Sequence, residues 1–327
     1  MREIIITEND AGRRVDRFLK IYFEKAPLSF IYKNLRKKNI KVNGKKASPE
    51  DILQNGDVIK LFLAEDTIKK FKKDMEKSKN SKFPDVLFEN EDILLVNKPV
   101  NMLTHNDQRA YQDNALDRMV DYLIYKGEYN PRLENSFRPA FVNRLDRNTS
   151  GILIGAKNLK SLQYLNANIK NRNISKYYLT IVKGSIEKDF KVDINLKKSK
   201  DNVVSKNSSG KRSLTEFKVL KTKGGYTLLS VNLITGRTHQ IRASLKEAGY
   251  FIIGDRKYGL KSENDKFRKL GLDSQYLHNF CVNFDLDEMK EISNRNFISM
   301  PNDKMTKIAE DLFDINLGEI LNEKGVF

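Results

Sequence analysis

One aspartate in the sequence stands where a carboxylate could react with a substrate. Asp146 lies between Arg144 and Arg147, in a polar stretch with apolar residues before and after it. Flanking cations favour the ionised carboxylate, which can then act as a nucleophile or a base. The same spacing is equally typical of an ordinary polar turn or of a helix N-cap. Local spacing therefore predicts a candidate residue, and the rest of the chain has to decide its role.

A second polar cluster, from Thr235 to Arg242, also follows strand-like sequence. Its capable hydrogen-bond donors are Arg237, His239, Gln240 and Arg242. Gly236 permits a tight turn, and a helix that begins just after it would turn Ile241 and Leu245 toward the core, with Arg242 beside them. From the residues alone, a structural histidine and a surface arginine remain open as interpretations.

The composition favours a polyanionic partner. The 327-residue chain has a formal net charge of +17, which suits a nucleic acid first and an anionic membrane surface second. A merely lysine-rich protein is the alternative. Its length allows one large domain and a small one, or two domains, and 39% hydrophobic residues are enough for a core.

Several kinds of chemistry have no sequence signal. The single cysteine, Cys281, excludes an intrachain disulfide, and the histidines His105, His239 and His278 lack the close spacing of a metal motif. No phosphate-binding loop or dinucleotide fingerprint is present, so we expect neither a metal nor a cofactor. The N-terminus has no signal pattern, and no apolar run approaches the ~20 residues of a membrane span. We therefore expect a soluble, cytoplasmic protein.

The elements that would position these residues begin with a small basic module. Strand, two helices, an Asn43-Gly44 hairpin turn and a further strand are predicted within residues 1–63. Seven cations and no acid occur between Lys33 and Lys46, which favours nucleic-acid contact over a solvated face of mixed charge. The candidate contacts are Arg36, Lys37, Lys38, Lys41, Lys45 and Lys46. The lysine-rich composition of residues 64–84 predicts a basic, partly helical linker.

Residues 85–327 alternate short strands with helices, which predicts one larger α/β domain. Strands are expected at 93–99, 152–156, 176–184, 217–220 and 226–233, and helices at 115–125, 160–170 and about 305–313. Asp146 then lies in the loop before the 152–156 strand. Catalytic groups often sit on such loops, held by a rigid scaffold.

Five ordered motifs make residues 86 to about 315 resemble the RluA-type pseudouridine synthases, which isomerise uridine in RNA. The motifs are Val96–Pro99, Arg144–Gly151, Lys176–Gly184, Thr235–Arg242 and Gly254–Gly259. Residues 13 to 62 resemble the alpha-L RNA-binding motif of a small-subunit ribosomal protein, through Arg14–Leu19, Val42–Lys45 and Asn55–Val58. An alpha-L motif joined to this domain is typical of the large-subunit ribosomal RNA branch, often called the RluC or RluD type.

The resemblance implies roles for individual residues. Asp146 matches the nucleophile, and Arg242 matches the basic residue that pairs with it. Tyr178 matches the active-site tyrosine, which packs on the base and is a candidate proton acceptor. Ile241 matches the apolar residue beside the base, and Arg144 an arginine associated with opening the RNA and filling the gap left by the flipped nucleotide. The motifs add further substrate-binding candidates, namely Asn97, Lys98, Thr149, Arg237, His239 and Gln240.

The chain also departs from the family pattern. Asn143 stands where the family usually has His, Val100-Asn101 where it usually has Ala-Gly, and Ser244 where it commonly has His. None of these positions is the nucleophile, so the resemblance still implies activity. Asn143 is expected to alter RNA contacts or the geometry of its loop.

The resemblance implies a cofactor-free isomerase with a mixed, largely antiparallel central sheet, flanking helices and an RNA-binding cleft near Asp146. The reaction breaks an N–C glycosidic bond, rotates the base and rejoins it through carbon. Attack of Asp146 on the ribose carbon, attack on the uracil ring and assisted proton loss from the sugar remain open. Large-subunit (23S) ribosomal RNA is the expected substrate, with a transfer RNA synthase or a non-catalytic ribosome-assembly factor as alternatives. We expect a monomer.

Overall fold

The chain folds into two compact units of mixed helix and strand. A computed structural model describes residues 1–71, 82–106, 112–131, 136–199 and 203–325. One unit combines Met1–Phe83 with Asp117–Ala140 and Ala156–Gln163, and the other combines Pro84–Leu116 with Phe141–Gly155 and Tyr164–Phe327. Within the described ranges, no helix is long and apolar enough to cross a membrane.

The first unit contains a four-stranded antiparallel sheet covered by helices. Its N-terminal elements are β1 (Arg2–Ile5), α1 (Val15–Tyr22), α2 (Leu28–Arg36), β2 (Ile40–Val42), β3 (Lys45–Lys46), β4 (Val58–Leu61) and α3 (Glu65–Phe71). The strand order is β1-β4-β2-β3. The hairpin turn predicted between β2 and β3 is confirmed, because Asn43 and Gly44 both have positive φ, at 48° and 77°.

The helices of this unit bury the faces that their periodicity predicts. Val15, Phe18, Leu19 and Tyr22 of α1 are buried, as are Ile31 and Leu35 of α2. Ser29 is of a type that suits an N-cap, but it lies inside α2, because the helix begins at Leu28 after Pro27 and has no side-chain cap. The predicted linker also contributes to this core, since α3 inserts the fully buried Ile68. Residues 72–81 of that linker lie outside the described residues.

Two later segments of the chain contact the N-terminal elements within the same unit. The backbone N–H of Leu159 donates to the side chain of Asn9 at 3.0 Å, and the Ser136 hydroxyl donates to the Asp10 carboxylate. Both segments fall in the part of the sequence assigned to catalysis. The boundaries 1–63, 64–84 and 85–327 therefore remain a prediction about function, and they differ from the division by packing.

The elements after residue 84 continue the alternation of strand and helix. They are β5 (Asp85–Glu89), β6 (Ile93–Lys98), α4 (Ala115–Tyr125), β7 (Ala140–Phe141), β8 (Ser150–Ala156), α5 (Leu159–Asn171), β9 (Ile174–Lys183), β10 (Phe190–Lys198), β11 (Val204–Lys206), β12 (Lys211–Lys223), β13 (Tyr226–Leu233), α6 (Gln240–Glu247), β14 (Phe251–Ile252), α7 (Lys261–Lys269), β15 (Leu277–Phe284), β16 (Asn296–Ile298), α8 (Asp303–Phe313) and α9 (Leu317–Glu323). The strands and helices that the sequence predicts here all form, with ends that differ by a few residues.

The second unit is organised on a large mixed sheet, as predicted. Its main path runs β11-β10-β12-β13-β9-β15-β8-β6-β5. Neighbours from β11 to β15 pair antiparallel, as do β5 and β6, whereas β15 and β8 run parallel. The central strand β9 is buried from Tyr178 to Val182, on both faces, because a strand in mid-sheet is covered on both sides.

A glycine at the start of β8 allows β8 to approach β15 closely. Gly151 has φ +112°, and a Cβ there would lie 2.1 Å from the carbonyl oxygen of Asn279. An L side chain would therefore be both strained and in collision with backbone. This close approach fixes the end of the loop that carries Asp146.

Candidate active site

Asp146 lies in a loop of residues 142–149 (the Asp146 loop), between β7 and β8, that hydrogen bonds hold in place. The backbone N–H of Thr149 donates to the carbonyl of Asp146 at 3.1 Å and closes a turn. Leu145 is bound at both backbone groups by the buried Thr104 hydroxyl, which accepts from its N–H at 3.2 Å and donates to its carbonyl at 2.8 Å. A loop fastened in this way presents its carboxylate in one orientation.

Asn143 joins the start of this loop to β8. Its side chain donates to the carbonyl of Ile152 at 3.1 Å and accepts from the N–H of Ile154 at 2.8 Å. Asn143 is also buried. The departure from the family's usual His therefore concerns loop geometry, one of the two effects that the sequence predicts.

Lys98 holds the Asp146 loop through hydrogen bonds from its ammonium group. Its ammonium group is buried and donates to the carbonyls of Pro99, Met102 and Arg147, at 2.9, 2.8 and 3.1 Å. Burial lowers the pKa of Lys98 to about 7, and the negative charge of Asp146 opposes that shift. All three ammonium donors are used within the chain, so the expected direct contact between Lys98 and a substrate has no support in this geometry.

Arg242 clamps Asp146 against a second carboxylate that sequence reasoning did not single out. Its Nη1 donates to Asp146 Oδ2 at 2.8 Å, while Nε and Nη2 donate to the two oxygens of Asp255 at 2.7 and 2.9 Å. Asp255 is fully buried, and the side chain of Arg242 is 8% exposed. A planar guanidinium with both edges bound has a single orientation.

The electrostatics agree with this clamp. Burial acts to lower the pKa of Arg242, but its hydrogen bonds and charge attraction to Asp255, and then to Asp146, raise that pKa above its ordinary value. Burial acts to raise the pKa of Asp255, but Arg242 outweighs it and holds the pKa below its ordinary value. Arg242 and Asp255 are therefore charged together at any physiological pH.

Helix α6 begins beside this clamp and is braced by Gln240. The Gln240 side chain accepts from the Thr235 hydroxyl and the Arg237 N–H, at 2.9 and 3.0 Å, and donates to Leu214 and Thr215 at 3.0 Å each. Gln240 is 2% exposed, so it holds the preceding turn rather than a substrate. The expectation that Gln240 binds substrate is therefore not supported.

His239 approaches the other side of Asp146. It has φ 51° at the start of α6, and its Nε2 lies 3.7 Å from Asp146 Oδ2. Its Nδ1 lies 2.9 Å from the Tyr258 hydroxyl, which accepts from the N–H of Val204 at 2.8 Å. Burial lowers the pKa of His239 against the opposing charge of Asp146.

Tyr178 is buried on β9 near Asp146. Its hydroxyl has no hydrogen-bond partner among the described residues. Burial is the main cause that raises the pKa of Tyr178, and the charge of Asp146 adds to it. The hydroxyl therefore stays protonated at physiological pH and has free hydrogen-bonding capacity.

The other expected site residues divide into exposed and structural ones. Arg144 is exposed, and in the described part of the chain its guanidinium has no partner, unlike the Arg147 side chain, which donates to Gln112. Arg237 is also exposed. Ile241 is buried in α6, Thr149 is buried and accepts from Gln275 at 3.2 Å, and Asn97 donates across the β5–β6 pair to Asp85 at 3.0 Å. Among the described residues, neither arginine that flanks Asp146 in sequence forms an ion pair with it, whereas Arg242, the partner that the resemblance implies, does.

Asp255 and Tyr258 are the functional residues that sequence reasoning missed. Both lie in the Gly254–Gly259 motif, which carried the resemblance but received no assigned role. Tyr258 stacks on Arg242, with the guanidinium carbon 4.9 Å from the ring centroid, and packs with Ala243 against β10 and β11. The sequence feature that could have identified Asp255 is its acidic side chain within a motif of glycines and an aromatic residue.

In the first unit, the predicted RNA-contact cations are solvent-accessible. Arg36, Lys37, Lys38, Lys45 and Lys46 are exposed and Lys41 is half-buried. None forms an ion pair with a carboxylate of the described residues. For metals, no three His, Cys, Asp or Glu side chains within the described residues are grouped as a metal site would require.

Known proteins are similar to this chain in sequence, and solved structures are similar to it in fold. A family model described as RNA pseudouridylate synthase matches residues 92–247. An uncharacterized RNA pseudouridine synthase of Mycoplasma capricolum is 35% identical over 81% of this chain and 88% of its own length. Ribosomal large subunit pseudouridine synthase C of Haemophilus influenzae is 30% identical over 87% of each chain, and that of Buchnera aphidicola is 33% identical over 85% and 88%.

Among solved structures, human RNA pseudouridylate synthase domain containing 1 is similar in fold. It has a TM-score of 0.52 and 21% identity, over 69% of this chain and 86% of the human chain. Human RNA pseudouridylate synthase domain containing 4 gives a TM-score of 0.52 at 19% identity, over 67% and 89%. These two likenesses concern the fold.

Proposed function

Because this chain belongs to the RNA pseudouridylate synthase family, we propose that it converts uridine to pseudouridine in large-subunit ribosomal RNA, with Asp146 as the nucleophile. The substrate class is supported by relatives named ribosomal large subunit pseudouridine synthase C, which match along most of their length. The basic N-terminal module and the net charge of +17 support a large, polyanionic substrate.

One observation carries the role of Asp146. Its Oδ2 is bound by Arg242, while its Oδ1 accepts no hydrogen bond from the described residues, and the side chain is 29% exposed. A nucleophilic carboxylate needs this combination, in which one oxygen is held and the other remains free to attack. The fastened loop and the Arg242 clamp supply the positioning that makes attack efficient.

The neighbouring groups have distinct tasks in this mechanism. The reaction breaks the bond between N1 of uracil and the ribose, rotates the base, joins C5 to the ribose, and moves a proton from C5 to solvent while N1 gains one. Arg242 keeps the carboxylate oriented throughout. The Tyr178 oxygen is suited to take the C5 proton while the hydroxyl proton passes to water that enters with the substrate, and the Tyr178 ring offers a face on which the base can pack.

Access to the target uridine requires that it leave its stack, at about a few kcal/mol. The exposed Arg144, on the Asp146 loop, is suited to fill the gap left by the flipped nucleotide. Arg237 adds a second exposed cation on the turn before α6. Contacts between the N-terminal cations Arg36, Lys37, Lys38, Lys41, Lys45 and Lys46 and phosphates would offset the unstacking energy.

The Asp146→Asn chain tests the assignment of the nucleophile. Asparagine keeps the size and one acceptor oxygen but removes the charge, so pseudouridine formation on a large-subunit ribosomal RNA transcript should be lost, with RNA affinity nearly unchanged. The matched control is Asp193→Asn, which removes a carboxylate from an exposed pair with Arg212. Pseudouridine still formed by the Asp146→Asn chain would refute the assignment.

Mapping of pseudouridines in total RNA from cells with and without the gene tests the substrate class. Loss of a site in large-subunit ribosomal RNA supports the proposal. Loss of a transfer RNA site instead would identify a transfer RNA synthase, and no lost site together with defective ribosome assembly would identify a non-catalytic factor. Either of these results would overturn the proposed substrate or activity.

The remaining organisation is proposed with the function. Residues 1–63 would bind RNA, 64–84 would connect, and 85–327 would catalyse, in a monomer acting where ribosomal RNA is modified, in the cytoplasm. Removal of residues 1–63 is a poor test of this organisation, because Ile68 and Leu159 contact the removed part within one compact unit. Light scattering across a range of protein concentrations tests the monomer.

A further inference from the structure

The four-stranded sheet of the first unit has an outer face that the helices do not cover. Ile4, Ile40, Ile59 and Leu61 point into the core. Since side chains alternate along a strand, the residues between them form the outer face. On β1, Ile5 is 64% exposed, which fits an uncovered face.

A row of three lysines crosses this outer face. Lys41 is the register partner of Lys46 on β3 and of Lys60 on β4, and Lys60 is in turn the partner of Glu3 on β1. Only Lys60 has an ion pair within the described residues, with Glu3 at 2.9 Å. Like charges directly opposite on neighbouring strands destabilise a sheet. Lys41 and Lys46 are therefore placed at a cost that a bound anion would relieve.

An exposed aromatic ring lies beside the lysine row. Phe62 follows β4 and is 45% exposed, although a phenylalanine usually contributes to stability by burial. The ammonium of Lys41 lies 5.3 Å from its ring centroid. An exposed aromatic ring beside a row of cations is the combination that single-stranded nucleic acids bind, with bases on rings and phosphates on cations.

We propose that this outer face, formed by Lys46, Lys41, Lys60 and Phe62, binds a single-stranded segment of the RNA substrate. A base stacks on Phe62, and the adjacent phosphates follow the lysine row. The inference rests on the proposed RNA substrate, and it adds a stacking site and the lysine Lys60 to the contacts expected from the sequence. A duplex can meet the lysines, but its paired bases cannot stack on Phe62.

The absence of tryptophan from the chain makes the stacking directly measurable. Phe62→Trp in the full-length chain introduces one indole at the proposed site, and Phe83→Trp introduces one at an equally exposed position (42%) that contacts Tyr122 and Tyr125. An oligouridine of about ten nucleotides, within the usual site size, should quench the fluorescence of the Phe62→Trp chain. It should leave the Phe83→Trp chain unchanged.

Three results would overturn the stacking proposal. They are no quenching in the Phe62→Trp chain, equal quenching in both chains, and equal quenching by an RNA duplex of the same length. Pseudouridine formation by the same chains keeps the test separate from the proposed function. If the Phe62→Trp chain modifies RNA but its fluorescence does not change, the further inference fails and the proposed function stands.

The lysine row is tested through salt dependence. The Lys41→Gln, Lys46→Gln double variant should reduce the slope of log affinity against log salt by about 1.4 for the oligouridine, at about 0.7 per phosphate on a single strand. The control is Lys69→Gln with Lys70→Gln on α3, which changes the net charge equally but lies on the helical side of the unit. An equal change of slope in the control would refute a specific role for the row.

Discussion

Replacement of Asp255 by asparagine should slow catalysis without weakening RNA binding. Asp255 is fully buried, so it cannot touch RNA, and it reaches Asp146 only through Arg242. Its Oδ1 accepts from Arg242 Nη2 and from the N–H groups of Lys257 and Tyr258, at 2.9, 2.9 and 3.0 Å, and its Oδ2 accepts from Arg242 Nε at 2.7 Å.

The magnitude follows from these four bonds. An asparagine with its oxygen in the Oδ1 position keeps three of them and turns its NH₂ group toward Nε. One hydrogen bond to a charged group is then replaced by two opposed donors, which costs about 1.5–3 kcal/mol of unfolding free energy. The guanidinium must also pivot away, and its Nη1 moves with it. A displacement of about 1 Å at a catalytic group lowers a rate by about 100-fold.

The assay is single-turnover release of tritium from RNA whose uridines carry tritium at C5, the position that loses its proton. It is run at a temperature well below the thermal midpoint of each chain. We expect a rate about 100-fold lower for Asp255→Asn and an unchanged Kd for RNA. Asp193→Asn, in the exposed pair with Arg212, should leave both the stability and the rate close to those of the unchanged chain, because solvent screens an exposed ion pair. A wild-type rate in the Asp255→Asn chain, with a lowered thermal midpoint, would show that Asp255 only stabilises the fold.

Three further changes probe the site and its support. Tyr178→Phe removes the unpartnered hydroxyl and should lower the single-turnover rate by about 10²–10⁴-fold, the range of general acid–base catalysis, while RNA affinity is retained. Buried His278 has a pKa lowered to about 4 by burial; the unfolded chain therefore binds more protons between about pH 6.5 and 4, and stability falls as pH falls through that window. In urea titrations at about pH 6.5 and pH 4, His278→Asn should reduce the fall in unfolding free energy between the two pH values by about 3 kcal/mol. Asn143→Ala should cost about 1–3 kcal/mol in the same titrations, because it leaves the N–H of Ile154 unpaired, whereas the Ile152 carbonyl keeps its bond from Asn279.

Sequence periodicity predicted the elements well where a face is buried. The helix predicted at 115–125 forms with those bounds, and the apolar face of α1, formed by Val15, Phe18, Leu19 and Tyr22, is buried. The family resemblance is confirmed by the matching family model and the relatives. Both successes depend on local patterns or on ordered motifs, which are read directly along the chain.

The partners of the site residues could not be predicted in the same way. Lys98 and Gln240 have types that suit substrate binding, yet their hydrogen bonds are used within the chain. Residue type specifies how many hydrogen bonds a side chain can make, but burial decides with whom. Arg147 lies next to Asp146 in sequence and binds Gln112 instead, because the turn that Thr149 closes sets the direction of each side chain.

The two carboxylates on Arg242 differ in a way that explains their roles. Asp255 is completely buried and accepts four hydrogen bonds, so it has no capacity left for chemistry. Asp146 is partly exposed and gives only Oδ2 to Arg242. A guanidinium bound to a single carboxylate could rotate about that contact, whereas one fixed by Asp255 and stacked on Tyr258 cannot. The Gly254–Gly259 motif, more than a hundred residues further along the chain, therefore adds to the rigidity that the Asp146 loop gives the proposed nucleophile, and substitutions in the motif should change rate before they change RNA affinity.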